Sequence, residues 1–155
     1  MQRQVQFSVY LINQPGVLAS VTGALARAKI NVCALALMDS GEHGTLRLVC
    51  EDAERARAVL AKAHDRFTES EVLVVELENK AGAFSAVCTR LAGAHVNITY
   101  AYCTGGAPGG RTTAVFRLSD LKKAVRVLGD KAAATKKKKA RAKQAQTVKK
   151  APRRR

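Results

Sequence analysis

Two short stretches carry residue types that could hold a small charged molecule. They are Asn13-Gln14-Pro15-Gly16-Val17-Leu18 and, 66 positions later, Asn79-Lys80-Ala81-Gly82-Ala83-Phe84. Each follows an apolar run that reads as a strand and opens an apolar pattern that reads as a helix. Past Gly16 and Gly82 the first helical amides lack intrahelical partners and sit at the positive end of the helix dipole. That end suits a carboxylate. The amide of Asn13 or Asn79 offers donors and acceptors for an ammonium or a polar side chain. Taken singly, such a turn also reads as plain punctuation, with the Asn side chain bonding its own backbone. Recurrence of the turn in the same context favours binding.

The elements around the turns repeat as well. Val5 to Leu11 alternates apolar and polar residues, as a half-buried strand does. Val17 to Ala28 reads as a helix with Leu18, Val21, Leu25 and Ala28 on one stripe. Asn31 to Met38 and Thr45 to Cys50 read as a hairpin around Asp39 to Gly44. Asp52 is placed to cap a helix through His64, with Ala53, Ala56, Val59, Leu60 and Ala63 on its apolar face. The pattern restarts at Glu71. A strand over Val72 to Leu77 leads to a helix over Ala83 to Gly93, where Phe84, Val87 and Leu91 match Leu18, Val21 and Leu25. Asn97 to Cys103 and Thr112 to Leu118 form the second hairpin, and Asp120 to Leu128 matches Asp52 to Leu60 at an offset of 68. The offset grows because the second hairpin loop is longer. This is an internal duplication. The units run 1–69 and 70–130, each β-α-β-β-α. The closing strand has little room between Arg66 and Ser70 in the first unit and no visible segment in the second. The expected class is α+β: two ferredoxin-like βαββαβ units side by side, with antiparallel sheets and helices on one face. A homodimer that completes the sheet is one route to the missing strand.

The net charge is +15, but twelve Lys and Arg with no acid fall in residues 131–155, leaving about +3 for residues 1–130. Lys136, Lys137, Lys138, Lys139, Arg141, Lys143, Lys149, Lys150, Arg153, Arg154 and Arg155 are spaced by Ala, Gln and Thr. Such a tail buries no core and is expected to be disordered. It would meet DNA, RNA or polyphosphate through counterion release. That makes a polyanion-associated protein, with the folded pair as a dimerisation scaffold, the alternative reading.

Other signals are weaker. Gly105 to Thr112 nearly fits a phosphate-loop pattern, but a strand rather than a helix follows it. The central strands lack the paired aromatics that RNA stacking needs, so Tyr100 and Tyr102 read as packing or pocket-lining residues. His43, His64 and His95 are scattered and read as surface residues. Cys33, Cys50, Cys88 and Cys103 show no metal-ligand spacing and read as reduced, small apolar residues. No metal, cofactor or catalytic constellation is expected, and hence no enzyme. The N-terminus is too polar for a signal peptide and no apolar run is long enough to span a bilayer, so a cytoplasmic protein without membrane attachment is expected.

At the two Asn-x-[Pro/Ala]-Gly turns, with Ile30-Asn31-Val32 and Val96-Asn97-Ile98 beginning the following strands, the chain resembles a tandem pair of ACT domains over about residues 5–128. The resemblance implies units that bind small ligands, usually amino acids, and regulate a metabolic enzyme or transcription. It also implies a ligand at the seam between two units placed side by side, with Pro15, Gly16, Val17 and Leu18, or Gly82, Ala83 and Phe84, on one wall. A twelve-residue helix is about 18 Å long, so Asn13 and Asn31 should lie at opposite ends of one unit. Across a pseudo-two-fold axis Asn13 is then expected to face Asn97, and Asn79 to face Asn31. Ala81 and Phe84 replace Pro15 and Leu18, so the second pocket is expected to differ from the first. Leu11 and Leu77 stand where some serine-sensing members carry a His, so serine specificity does not carry over.

Overall fold

The computed structural model describes residues 1–63, 66–106 and 109–129. The basic tail and His64 lie outside the described residues, and with them every cation assigned above to polyanion binding.

Among the described residues six strands form one antiparallel sheet. They are β1 (Gln2–Ile12), β2 (Val32–Ser40), β3 (His43–Cys50), β4 (Phe67–Glu78), β5 (Ile98–Cys103) and β6 (Arg111–Leu118), in the spatial order β2-β3-β1-β4-β6-β5. Helices α1 (Val17–Arg27) and α2 (Ala53–Ala63) belong to the first repeat. Helix α3 (Ala83–Gly93) and a fourth, α4, over 121–129 belong to the second. Among the described residues no helix is long and apolar enough to cross a membrane.

The closing strands come from within the chain, not from a second copy. β4 is twelve residues long and serves both repeats. Its first part, from Phe67, pairs with β1 and closes the first repeat. Its last part, Leu73 to Glu78, pairs with β6 and opens the second. β1 does the reverse. Gln6 to Ile12 pairs with β3, while Gln2 to Val5 pairs with Val74 to Glu71 and supplies the fourth strand of the second repeat. The expected homodimeric completion of the sheet is therefore corrected: two shared strands do that work. The division expected at 69/70 falls inside β4.

Each repeat buries its own helices against the sheet. Phe7, Val9 and Leu11 of β1 and Leu46 and Leu48 of β3 meet Val21 and Leu25 of α1 and Ala56 and Leu60 of α2. In the second repeat Leu73, Val75, Ala114, Phe116 and Leu118 meet Val87, Leu91, Leu121, Ala124 and Leu128. Burying a side chain of this size gains about 1.5–3 kcal/mol, more than the propensity difference at any one helical position. Packing of the stripe therefore decides where the helices form. Asp52 Oδ1 accepts from the Arg55 amide at 3.0 Å, and Asp120 Oδ1 from the Lys123 amide at 2.8 Å, capping α2 and α4 as the duplication requires.

The helix-free face is not open. Ala34, Val49, Val72 and Val115, from strands on both halves of the sheet, form one buried cluster with Cys33, Val74 and Tyr102 packed on it. Tyr102 Oη donates to Gln6 Oε1 at 3.1 Å, and Gln6 Nε2 donates to Tyr100 Oη at 2.7 Å. Gln6 is fully buried. β5 is an outer strand and β1 lies three places away, so these bonds require the sheet to curl over its helix-free side. Arg47 on β3 stacks over the Tyr100 ring, 3.5 Å from its centroid. Burial pushes the Tyr102 hydroxyl well above the usual range, with Tyr100 adding to the shift and Arg47 opposing it. The two tyrosines are packing residues. At the chain's start, the Met1 methyl lies within 3.9 Å of where a side chain on Gly129 would begin.

Candidate functional site

The two Asn turns have the same hydrogen-bonded plan. β1 ends at Ile12, and the Asn13 amide donates to Glu42 O at 2.8 Å. The Asn13 side chain donates from Nδ2 to Gly41 O at 3.1 Å, tying the turn to the tip of the β2–β3 hairpin. Val17 N then donates to Gln14 O at 3.3 Å, and Ser20 N to Gly16 O at 2.8 Å begins the helix. Pro15, without an N–H and with its φ preset, suits the exposed turn before the helix. Gly16 has φ 87°, a left-handed conformation that a residue with a Cβ adopts only at a cost. In the second repeat Asn79 N donates to Gly110 O at 2.8 Å and Asn79 Nδ2 to Gly106 O at 2.6 Å. Gly82 has φ 81°, and Ala86 N donates to Gly82 O at 2.9 Å.

α1 and α3 start without a side-chain cap and without an acidic residue in the first turn. α2 has both: Asp52 caps it and Glu54 lies in its first turn. The uncompensated positive ends are thus the two that follow the Asn turns.

A cleft of about 70 Å³ opens at the first turn. Asn13, Gln14, Val17 and Leu18 form one wall. Leu11, Ile12 and Gly44 line it from the ends of β1 and β3, and Leu37 and Met38 of β2 face it from across. Leu37 is 50% exposed, Met38 48% and Ile12 55%, so large apolar surface surrounds the opening. A wider hollow of about 480 Å³ lies on the other side of the turn, with Tyr10, His43 and Arg66 beside Gln14 and Val17.

Asn31 lies elsewhere. Its carbonyl accepts from Glu51 N at 3.0 Å, and with Lys29, Asp52 and Arg55 it lines a shallow groove at the opposite end of the first repeat. Val32 follows it at the start of β2 and is partly buried. Asn97 N donates to Ser119 Oγ at 3.0 Å, Asn97 O accepts from Ser119 N at 3.0 Å, and Ile98 begins β5.

The expected pairing of Asn13 with Asn97 is not assembled within the chain. β1 leaves the β4 ladder at Val9–Phe67, and Asn13 lies four residues beyond. Asn97 precedes the Ile98–Leu118 pair, close to the level of Glu71 on β4. The two are about seven strand residues apart, roughly 23 Å along the sheet at 3.3 Å per residue. Asn79 and Asn31 are separated in the same way. The reason is the shared strands. They put the pseudo-two-fold axis through the middle of β1 and β4, so both Asn turns lie at the far ends, while Asn31 and Asn97 start strands near the axis. Sequence reasoning missed Leu37, Met38 and Gly44, which face the turn from the hairpin. The alternation of β2 and the length of the hairpin loop were the signals that could have found them.

The family model of the ACT domain pair matches residues 2–142. The chain belongs to this family. A crystal structure of a Bacteroides thetaiotaomicron protein is similar, with TM-score 0.75 and 28% identity over 83% of this chain and 88% of that one. The regulatory subunit of aspartate kinase from Thermus thermophilus, in its ligand-free form, has TM-score 0.63 and 15% identity over 84% of this ACT pair and 93% of that chain. The Thermus flavus regulatory subunit has TM-score 0.55 and 16% identity over 84% and 92%. These two share the fold. No curated protein matches the chain.

Proposed function

We propose that this ACT pair is a non-catalytic regulatory protein that binds an amino acid at the Asn13 turn. The observation that carries the reading is the cleft between the uncapped start of α1 and the exposed apolar residues Leu37 and Met38 of β2. An α-carboxylate would lie at the first-turn amides of α1, where the dipole favours negative charge, with the side chain against β2. Solved chains with this fold include regulatory subunits of aspartate kinase, which supports regulation of an enzyme carried on a separate chain. The edge strand β2 leaves Leu35 41% exposed, and its run Val32 to Met38 has no charge or proline to deter pairing. That supports a homo-oligomer formed along this edge.

The test is a thermal-shift survey of the full chain against the twenty amino acids. One of them should raise the melting point in a saturable way, by the linkage of ligand to folding. The response should vanish in Asn13→Ala and persist in Asn31→Ala. An unchanged melting point with all twenty refutes the reading.

A further inference from the structure

We propose that the Asn13 cleft accepts an amino acid with an aliphatic side chain of three or four carbons, and that its counterpart in the second repeat is closed, so one ligand binds per chain. This rests on the amino-acid reading above and narrows it.

Size comes first. An apolar protein cavity of about 150 Å³ holds a benzene molecule. The cleft measures about 70 Å³, half of that, which suits a short aliphatic chain better than an aromatic ring. Chemistry agrees. Its side-chain walls are Val17, Leu18, Leu37 and Met38 with the amides of Asn13 and Gln14, and among the described residues that line it none is charged. A charged ligand side chain would lose its hydration there without a counter-charge among those residues.

The second repeat differs at the equivalent places, which the strand registers identify. Gly44 pairs with Leu11 in the first repeat, and Thr112 pairs with Leu77 in the second. At Gly44 even a Cβ would stand 3.3 Å from Met38 O and 3.4 Å from Leu37 Cδ1. Thr112 fills that gap with a whole side chain, and its hydroxyl donates to Thr104 O, the counterpart of Met38. Phe84 replaces Leu18, and its ring stacks on Phe116 with centroids 5.2 Å apart and planes 17° apart. Gly109 N also donates to Asn79 O at 3.4 Å. Two larger side chains and a loop contact thus occupy the region that is open beside Asn13.

Calorimetric titration of the full chain tests this with L-valine, L-leucine, L-isoleucine and L-methionine against L-phenylalanine, L-lysine and L-aspartate. An aliphatic amino acid should bind with a stoichiometry of one, and the other three should bind at least about tenfold more weakly, the scale that a single misfit group imposes on an apolar pocket. Gly44→Ala should weaken the binding, and Gly44→Thr should abolish it. Phe84→Leu combined with Thr112→Gly should raise the stoichiometry from one to two. Tightest binding of a charged or aromatic amino acid, lost in Asn13→Ala, would overturn the size argument and leave the regulatory reading standing. Two sites in the unaltered chain, or a stoichiometry still at one in the folded double variant, overturns the closure argument. Absence of binding by the four aliphatic amino acids overturns this inference, and an unchanged melting point with all twenty sinks the reading beneath it as well.

Discussion

Val5 of β1 and Glu71 of β4 face each other in the sheet, and they are 66 residues apart, the same interval that separates the two Asn turns. A pair whose spacing equals the repeat interval is related to itself by the duplication. The pseudo-two-fold axis therefore passes between these two residues. Everything to one side of them in β1 belongs to the first repeat and everything to the other side serves the second.

Removing Met1 to Gln4 should accordingly damage the repeat that is distant in sequence. Gln2, Arg3 and Gln4 are the partners of Val74, Leu73 and Val72. Their loss uncovers a buried strand edge. At about 1 kcal/mol per lost hydrogen bond, the expected cost is about 2–4 kcal/mol. Hydrogen exchange should accelerate at residues 72–77. If exchange quickens only in β3 and α1, the shared-strand assignment is wrong.

Tyr100 and Tyr102 should be coupled energetically to Gln6, which donates to the first and accepts from the second. Tyr100→Phe leaves a buried amide short of one acceptor, costing about 1–3 kcal/mol. Gln6→Leu combined with Tyr100→Phe should cost less than the sum of the single changes. A urea-denaturation cycle measures this. Additivity within about 0.5 kcal/mol would mean that the two residues do not interact.

Lys29 and His95 occupy equivalent positions just after α1 and α3, with φ 55° and 53°. Their amides donate to Ala26 O and Ala92 O, at 2.9 and 2.8 Å, closing each helix. A side chain in that conformation is strained. Lys29→Gly and His95→Gly should each stabilise the protein by about 0.5–1 kcal/mol, after allowing for glycine's freer unfolded chain. The two gains should add. A lower melting point for either variant would show that the side chain makes a compensating contact.

Three of the four thiols, Cys33, Cys50 and Cys103, should separate by reactivity. Cys50 is buried, and burial first, then Cys33, pushes its thiol up to about 11. Burial and Glu51 raise Cys33, and Cys103 is also raised, by burial and Cys88, but is exposed. A raised pKa leaves less thiolate at a given pH, so at pH 8 a thiol reagent should label Cys103 before Cys33 and reach Cys50 only on unfolding. Equal rates at Cys50 and Cys103 would contradict this.

Much of the fold was legible because local signals agreed. The Gly16 and Gly82 turns, the Val21–Leu25 and Val87–Leu91 stripes and the Asp52 and Asp120 caps each depend on residues within one turn of helix or one hairpin. The closing strands were not legible. Phe67 to Glu78 is one uninterrupted strand, so no punctuation separates its two roles, and Gln2 to Val5 is too polar to announce a partner 66 or more residues away. The curl of the sheet depends on Tyr100 meeting Gln6, a contact across 94 positions. For the site, the Asn turns could be read directly, whereas their relation to Asn31 and Asn97 follows from where the axis falls.

The nearness of Met1 to Gly129, whose side chain would begin 3.9 Å from the Met1 methyl, gives the described fold the character of a closed ring. Where the ring is cut is then a matter of choice, since a fold can be reopened at an exposed loop tip when the two limits of its folded part are adjacent. A chain that begins at Glu42, continues through residue 129, crosses a short linker to Met1 and stops at Gly41 should build the same sheet. It would also free the Asn13 turn from its hairpin tether, because Gly41 and Glu42, which hold that turn, would become the new termini.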